Sequence, residues 1–307
     1  MKKYSNLFIV LLSFIILILI ILNKEIVSNT ILSSFYIWFN TLVPSMLPMF
    51  ILSDILTNYN FVTFIPKSIT NFISKLFNIS SGAALVIFIS LISGFPGNAL
   101  TIKNAFDLNI INKKEAEHIL LFTHFANPLF ILQTVGIFYL NNNTYGIIIL
   151  ISHIFSNIII GILFRNHNSP SNNYISKNIK CQSFTLILSN SIKKSINTLL
   201  MVGATVTSFL IISTLLCHIF QFNNYISTIT KSIIEMTMGL ASLSKLNIND
   251  IYKVIYSSMI ISFGGLSIHM QVISILDTIS YKNYLKGRIY QTCISGIISF
   301  TLFIMFF

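Results

Sequence analysis

Long uncharged apolar runs are the feature that most constrains the fold of this chain. One run covers residues 7–22 and another covers residues 144–164, and a helix of about 20 apolar residues crosses the hydrocarbon core of a bilayer. Only 9% of the 307 residues are charged and 54% are hydrophobic, whereas roughly a quarter are charged in soluble domains. Because these runs are continuous and lack the two-residue alternation of porin-like strands, they predict an all-α polytopic membrane protein.

Basic residues outnumber acidic residues, and the excess lies in short connections between apolar runs. The chain has 19 Lys and Arg against 8 Asp and Glu, a net charge of +11, and basic connections orient membrane helices and contact anionic lipid. The lipid bilayer is therefore the expected partner, and nucleic acid is not. The three cysteines, Cys181, Cys217 and Cys293, lack CxxC spacing, so neither a disulfide framework nor a metal site is predicted.

Residues 1–39 are predicted to form an N-terminal anchor helix and its connection. Lys2 and Lys3 precede the apolar run, which places the N-terminus inside by the positive-inside bias. The run is followed by Asn23-Lys24-Glu25-Ile26 and not by the small residues of a cleavage site. We therefore expect a retained helix, with a cleaved signal peptide as the alternative.

Residues 40–164 are interpreted as a first structural unit that opens with two irregular helices. A span near residues 40–57 contains Pro44 and Pro48, which remove backbone donors and bend the helix. The stretch at residues 61–78 has apolar residues at spacings of three and four with polar residues between them. This pattern predicts a helix that lies in the membrane interface.

A predicted re-entrant hairpin and a broken helix follow in the same unit. The apolar run at residues 83–92 is too short to cross and meets Ser93-Gly94-Phe95-Pro96-Gly97-Asn98, which predicts a hairpin with its tip at this motif. Asn127-Pro128 interrupts the next apolar span, and a broken helix is expected there because proline frees a carbonyl. A continuous span at residues 144–164 completes the unit.

A polar, basic linker at residues 165–194 precedes a second unit at residues 195–307. There the apolar run at residues 254–261 meets Ser262-Phe263-Gly264-Gly265-Leu266-Ser267-Ile268-His269, which predicts another hairpin with Gly264 at its tip. A shift of 170 positions places Gly94 on Gly264. We interpret the units as inverted structural repeats, each with an interfacial helix, a re-entrant helical hairpin and a broken transmembrane helix. Parallel repeats stay open, because the second unit also has basic connections.

Paired discontinuous helices at equivalent positions of inverted repeats are typical of secondary transporters. Half-helix N-termini present free N–H groups, which bind anions. Glu235 lies in an apolar stretch, where an ionisable group costs about 3 kcal/mol unless it is paired or wet; the alternative is an interfacial acid paired with Lys231. His269 and Gln271 follow the second predicted tip and could donate to a carboxylate.

Three blocks of sequence carry a resemblance to a known family. They are Ser93-Gly94-Phe95-Pro96 with Lys113-Lys114-Glu115-Ala116-Glu117; Pro128-Leu129-Phe130-Ile131 with Thr134-Val135-Gly136; and Glu235-Met236-Thr237-Met238-Gly239 with Phe263-Gly264-Gly265-Leu266-Ser267-Ile268-His269-Met270-Gln271. These blocks resemble the sporulation integral membrane protein YlbJ (SpoVV) family of nucleoside-recognition "Gate" domain proteins, which is similar in plan to concentrative nucleoside transporters.

The resemblance implies a transporter that carries dipicolinate, a small aromatic dicarboxylate, across the mother-cell-derived outer forespore membrane during endospore formation. A nucleoside-type carrier and a non-transporting assembly protein of the spore envelope are the alternatives, and a homo-oligomer stays open. Because no phosphate-binding loop, HExxH or GxSxG motif occurs in the sequence, no catalytic residue, cofactor or enzyme activity is predicted. The predicted substrate-binding residues are Ser93, Gly94, Phe95, Pro96, Asn98, Asn127, Glu235, Thr237, Gly264, Gly265, Ser267, His269 and Gln271.

Overall fold

Helices make up almost all of the described part of the chain. The structure is a computed structural model that describes residues 2–59, 64–165 and 183–307. It begins with α1 (Lys2–Leu22), and five helices in the described ranges are long and apolar enough to cross a membrane by length and composition. The prediction of an all-α polytopic membrane protein is therefore confirmed.

A long pair of antiparallel helices forms one side of the molecule. Helix α2 (Lys24–Ile37), a π-helical turn (Trp38–Leu42) and α3 (Val43–Asn58) make a single candidate span of 35 residues. This span packs along α9 (Phe184–Ile219), which starts inside the predicted linker; residues 166–182 of that linker lie outside the described residues. Three contacts fix the pairing: Ser34 Oγ to Thr207 Oγ1 at 2.6 Å, Trp38 Nε1 to the Leu199 carbonyl at 2.9 Å, and Lys194 Nζ to Asp54 Oδ1 at 2.6 Å.

The first unit contains an amphipathic helix followed by a helical hairpin. Helix α4 (Lys67–Phe77) lies within the predicted interfacial stretch, of which residues 61–63 lie outside the described residues, and it meets α5 (Ser81–Ser93) at a bend of 102°. Helix α5 packs against α6 (Gly97–Asp107), and only Gly94, Phe95 and Pro96 connect them. We call this pair the first hairpin. Whether it enters and leaves the membrane on one side stays a prediction.

A broken helix and a continuous span complete the first unit. Helix α7 (Lys113–Ile119) ends well before a π-helix (Phe130–Tyr139), and residues 120–127 between them, the first break, are irregular. The π-helix packs against α8 (Asn143–Leu163). Their contact is close because Gly136 and Gly146 face each other, where an added Cβ on Gly136 would lie 2.8 Å from the Gly146 Cα.

The hairpin of the second unit lies earlier in the chain than the sequence predicts. Helix α10 (Asn224–Ile234) packs against α11 (Met236–Ser244), with Glu235 as the single connecting residue. We call this pair the second hairpin. By contrast, α12 (Asp250–Phe263) and α13 (Gly265–Ile275) form one candidate span of 26 residues. The predicted hairpin with Gly264 at its tip is therefore wrong, and Gly264 and Gly265 form a second break.

The apolar run before Gly264 is shorter than the helix that contains it. The run at residues 254–261 is short, but α12 starts at Asp250, where Asn249 caps it by accepting a bond from the Ile251 N–H. Gly264 and Gly265 both have positive φ, +88° and +68°, so the chain steps sideways between the two helices without reversing. Residue types other than glycine rarely adopt two such angles in succession.

The corrected order makes the two units correspond more fully. Each consists of a hairpin, a broken helix and a continuous span, and α14 (Tyr281–Phe306) takes the place in the second unit that α8 takes in the first. Helix α14 packs against both α8 and α12. The 170-position shift is wrong, since it pairs a hairpin tip with a helix break, and the opposite membrane orientation of the two units stays a prediction.

The antiparallel pairing of α2 with α9 predicts a specific cross-link. In a chain whose native cysteines are replaced by serine, Ser34→Cys with Thr207→Cys should form a disulfide under mild oxidation, because the two native hydroxyl oxygens are 2.6 Å apart. Mass spectrometry of the joined peptides measures the yield. Ser33→Cys with Thr207→Cys is the matched control, because Ser33 is exposed and Ser34 is buried. Equal yields from the two pairs would contradict this packing.

Candidate functional site

Each hairpin tip lies directly against the broken helix of its own unit. A Cβ on Gly94, at the first tip, would lie 2.6 Å from the backbone nitrogen of Asn127 in the first break. A Cβ on Gly265, in the second break, would lie 2.9 Å from the backbone nitrogen of Met236, which follows the second tip. Both contacts are backbone to backbone, so glycine is required at both positions.

The irregular backbone of the first break has its carbonyl oxygens bonded by side chains and by the first tip. In the membrane an unbonded carbonyl costs several kcal/mol, so the donors explain how the break is tolerated. The four bonds are Arg288 Nη2 to the Leu121 carbonyl at 2.9 Å, Asn98 Nδ2 to Thr123 at 2.7 Å, Asn157 Nδ2 to His124 at 2.9 Å, and the Phe95 N–H to Phe125 at 2.9 Å.

The C-terminal end of α12, at the second break, is satisfied in the same way. Arg288 Nη1 donates to the Ser262 carbonyl at 3.4 Å, and His269 Nε2 donates to the Phe263 carbonyl at 2.9 Å. His153 joins the two breaks, because its Nε2 accepts the Ala126 N–H at 2.9 Å and its Nδ1 lies 3.0 Å from Ser262 Oγ. An Nε2 that accepts a backbone N–H is unprotonated, so Nδ1 carries the proton and donates to Ser262.

Two of the four half-helix N-termini around the tips and breaks are closed by side chains. Glu235 Oε2 accepts the Met238 N–H at 2.8 Å and closes α11. Asn127 Oδ1 accepts the N–H groups of Leu129 and Phe130 at 2.8 and 3.4 Å and closes the π-helix. These caps bond N–H groups in the first turn of both helices, and those N–H groups are unavailable to a ligand.

The N-termini of α6 and α13 have no side-chain cap. Their N-cap residues are Pro96 and Gly264, neither of which can accept a bond through its side chain. In α6 the Asn98 N–H donates to the Gly94 carbonyl at 2.9 Å, and the Ala99 N–H donates to Asn98 Oδ1 at 2.8 Å. Only the Gly97 N–H among the first three of α6 is therefore left without a bond in the described part of the chain.

Helices α6 and α13 contact each other, and Lys103 on α6 bonds to Asp277 beyond α13, with Nζ 3.0 Å from Oδ1. The Lys103 ammonium holds the pKa of the Asp277 carboxyl below its ordinary value. This contact joins the C-terminal halves of the two helices. Their N-termini are brought together at His124, because the Phe95 ring stacks on its ring and a Cβ on Gly264 would lie 3.0 Å from its Nε2.

Several buried polar side chains near these open N-termini have no hydrogen-bond partner in the described part of the chain. Ser93 precedes the first tip, Ser267 lies in the first turn of α13, and Gln271 lies one turn further on, with both its amide oxygen and nitrogen unpaired. Each is at most 3% exposed. Buried polar groups are normally bonded, so this concentration of unpaired donors and acceptors indicates a place for a polar ligand.

The remaining predicted residues fall into two groups linked by rings. Phe95, Pro96, Asn98 and Asn127 lie at the first tip and break, while Glu235, Thr237 and Gly265 lie at the second. The Phe95 ring stacks on the His124 ring with centroids 4.5 Å apart, and a Cβ on Gly264 would lie 3.0 Å from His124 Nε2. Through His124 the first tip thus reaches the second break.

Two predicted residues have structural bonds that argue against direct substrate contact. The Glu235 carboxylate is buried, caps its own helix and makes no ion pair with Lys231 among the described residues. The interfacial-pair alternative is therefore wrong. His269 is held at both ring nitrogens, by the Phe263 carbonyl and by the Tyr281 hydroxyl.

Sequence reasoning missed Tyr284 as part of this region and left Arg288 open between attracting an anion and lying at the lipid headgroups. Tyr284 Oη lies 2.9 Å from His124 Nδ1, and the Arg288 guanidinium lies over the Tyr284 ring at 5.1 Å. Both residues precede the apolar part of α14, where basic and aromatic residues ordinarily mark the membrane interface. The signal that could have found them is their spacing of four, which places both on one face of a helix with Gln291.

The comparisons with known proteins agree with the fold. No family model matches the chain. It is 26% identical over 294 residues, covering 83% of this chain and 72% of the other, to the "Sporulation integral membrane protein YlbJ" of Bacillus subtilis (strain 168). Its structure resembles CNTnw in an inward-facing substrate-bound state, with a TM-score of 0.55, 12% identity, and coverage of 98% of this chain and 84% of that chain. The chain is thus related in sequence to a sporulation integral membrane protein and has the fold of a concentrative nucleoside transporter.

Proposed function

We propose that this protein transports a small organic anion across a membrane. The observation that carries the proposal is the uncapped N-terminus of α13, together with the unbonded Gly97 N–H at the start of α6, beside buried polar side chains without partners in the described part of the chain. An open helix N-terminus combines free N–H groups with a partial positive charge and binds anions without burying a full lysine or arginine. Carriers with discontinuous helices bind their substrate between the half-helix ends, so such an N-terminus is suited to serve as part of the substrate site.

Dipicolinate is the substrate that fits this arrangement best. Its two carboxylates flank a planar aromatic ring, so one carboxylate can meet the Gly97 N–H of α6 while the other meets the N-terminus of α13. Ser93 and Ser267 supply hydroxyl donors, and the stacked Phe95 and His124 rings supply an aromatic surface nearby. The relationship to a protein named for sporulation supports the outer forespore membrane as the location.

A nucleoside is the second candidate substrate. The structural likeness to a nucleoside transporter favours it, and the Gln271 amide, with oxygen and nitrogen both unpaired, has the donor and acceptor that a nucleobase edge requires. Competition in vesicles containing only this protein separates the two, because dipicolinate or uridine will block uptake of the true substrate. An assembly protein of the spore envelope would give no flux of either solute.

Replacing the Gln271 amide tests the substrate site. Gln271→Leu keeps the size of a buried side chain and removes its hydrogen-bonding atoms, and one such bond contributes about 1–3 kcal/mol when its loss leaves a ligand group unpaired. Uptake of labelled dipicolinate into proteoliposomes should fall about tenfold or more. Ser274→Ala, on the exposed face of α13, is the control and should transport normally. Unchanged uptake by Gln271→Leu would place the substrate elsewhere.

Replacing Gly94 tests the role of the first tip. In Gly94→Ala the new Cβ would lie 2.6 Å from the Asn127 nitrogen. The backbone angles there, φ +67° and ψ 178°, are essentially restricted to glycine and cost alanine about 1–3 kcal/mol before any clash. The tip must move away from the break, so uptake should fall while the protein stays in the membrane. In Gly296→Ala the new Cβ meets the flexible Met259 side chain at 3.0 Å and Ile255 Cγ2 at an ordinary contact distance of 3.8 Å, and uptake should be retained. Equal loss in both variants would argue against a special role for the tip.

A further inference from the structure

Arg288 is a fully buried cation without an acidic partner in the described part of the chain. It lies in α14 and has no exposed surface, and none of the ion pairs among the described residues includes it. The titratable groups around it are His124 from the first break, His153 from α8, His269 from α13 and Tyr284 from α14, none of which is an acid that is ionised at neutral pH. A buried charge is tolerated only where other groups stabilise it.

The groups that stabilise Arg288 are the ends of two half-helices. Nη2 donates to the Leu121 carbonyl just after α7, and Nη1 donates to the Ser262 carbonyl in the last turn of α12. The Gln291 side-chain oxygen accepts from Nη1 as the third partner. Because the C-terminal end of a helix carries a partial negative charge, the guanidinium joins two such ends, one from each unit, and neutralises both.

Gly287, which precedes Arg288, allows α14 to lie directly against the Leu121 carbonyl. A Cβ on Gly287 would overlap the Leu121 carbonyl oxygen, so α14 touches the chain just after α7 at this point. Any side chain at position 287 would move Arg288 away from that carbonyl. Beneath the guanidinium, the Tyr284 ring adds a cation–π contact, with the guanidinium carbon 5.1 Å from the ring centroid.

We propose that Arg288 is a tethered cation that occupies the place of a coupling ion and makes this carrier select anions without an inorganic cation. Half-helix C-terminal ends and unwound carbonyls coordinate sodium or protons in transporters with broken helices, and here the guanidinium takes those carbonyls. Ser262 lies two residues before Gly264, the N-cap of α13, so the charge lies close to one open N-terminus. The inferred anion selectivity rests on the proposed function, whereas the role of Arg288 as a tethered cation at the two helix ends does not depend on it.

Chemical rescue tests the tethered cation by a readout other than transport. Arg288→Ala should lower the melting temperature of the purified protein in detergent, because two helix ends lose their shared donor. Guanidinium chloride at low millimolar concentration should recover part of that loss, and sodium chloride at equal ionic strength should not, because only guanidinium matches the planar arrangement of acceptors. Arg288→Lys keeps the charge but not the forked pair of donors, so its melting temperature should lie between those of the unchanged protein and Arg288→Ala. Lys286→Ala, which removes an ammonium 4.2 Å from the Phe164 ring, is the control that guanidinium should not affect.

Ion replacement and analogue competition test the consequence for transport. Uptake by the unchanged protein should be the same when choline replaces sodium in the medium. The preference for pyridine-2,6-dicarboxylate over its uncharged dicarboxamide should fall about tenfold in Arg288→Met, a change of about 1.4 kcal/mol.

The outcomes distinguish the two proposals. An unchanged melting temperature in Arg288→Ala, or equal rescue by sodium, would overturn the tethered cation whatever the substrate is. An absolute need for sodium in the unchanged protein would also overturn it. Guanidinium rescue without any dicarboxylate binding would uphold the tethered cation and overturn the proposed substrate class.

Discussion

The structure depends on how two interrupted helices satisfy their backbone within a membrane. A break in a helix frees carbonyl and N–H groups that lipid cannot bond. Here the carbonyls of the first break are bonded by Arg288, Asn98, Asn157 and the Phe95 N–H. The same Arg288 reaches the end of the other broken helix at Ser262. The donors come from the hairpin and from both continuous spans, so the breaks, hairpins and spans stabilise one another.

Side chains and the first tip bond the carbonyls of the breaks, but side chains cap only two of the four half-helix N-termini at the tips and breaks. Glu235 and Asn127 close two of the half-helix N-termini, whereas Pro96 and Gly264 leave the other two without a cap. With the negative helix ends bonded by a guanidinium, the groups left to interact with a solute are the uncapped N-terminus of α13, the Gly97 N–H, and the side chains of Ser93, Ser267 and Gln271. That asymmetry is the physical basis for proposing an anion, and the bonded carbonyls argue against a cation as the transported species.

Local sequence patterns predicted the elements of the first unit well. The glycine and proline at residues 94 and 96 marked the first tip, and Asn127-Pro128 marked the end of the first break, because proline and glycine act through their own backbone geometry. The amphipathic pattern around residues 67–77 likewise located α4. These signals are short-range, so one sequence is enough to read them.

The second unit was harder to predict because its hairpin tip has no glycine or proline, and its glycine pair lies at the helix break instead. The second hairpin turns at Glu235, which has extended backbone and caps the next helix through its side chain, whereas the glycine pair marks a break. An acid in an apolar stretch is interpreted as a substrate-binding residue. No local sequence pattern shows that its carboxylate accepts a backbone N–H instead. The bonds of Arg288 to Leu121 and Ser262 are equally invisible to the sequence, because they join residues 167 and 26 positions away.

The most direct test of this account is an experimental structure with a substrate that carries a heavy atom. Crystals grown with 4-bromodipicolinate would place the bromine by its anomalous signal. The proposed binding mode predicts one peak between the N-termini of α6 and α13, with one carboxylate within hydrogen-bond distance of the Gly97 N–H and the other within hydrogen-bond distance of the first N–H groups of α13. A peak at the capped end of α11, or in the outer surface between α10 and α12, would contradict it.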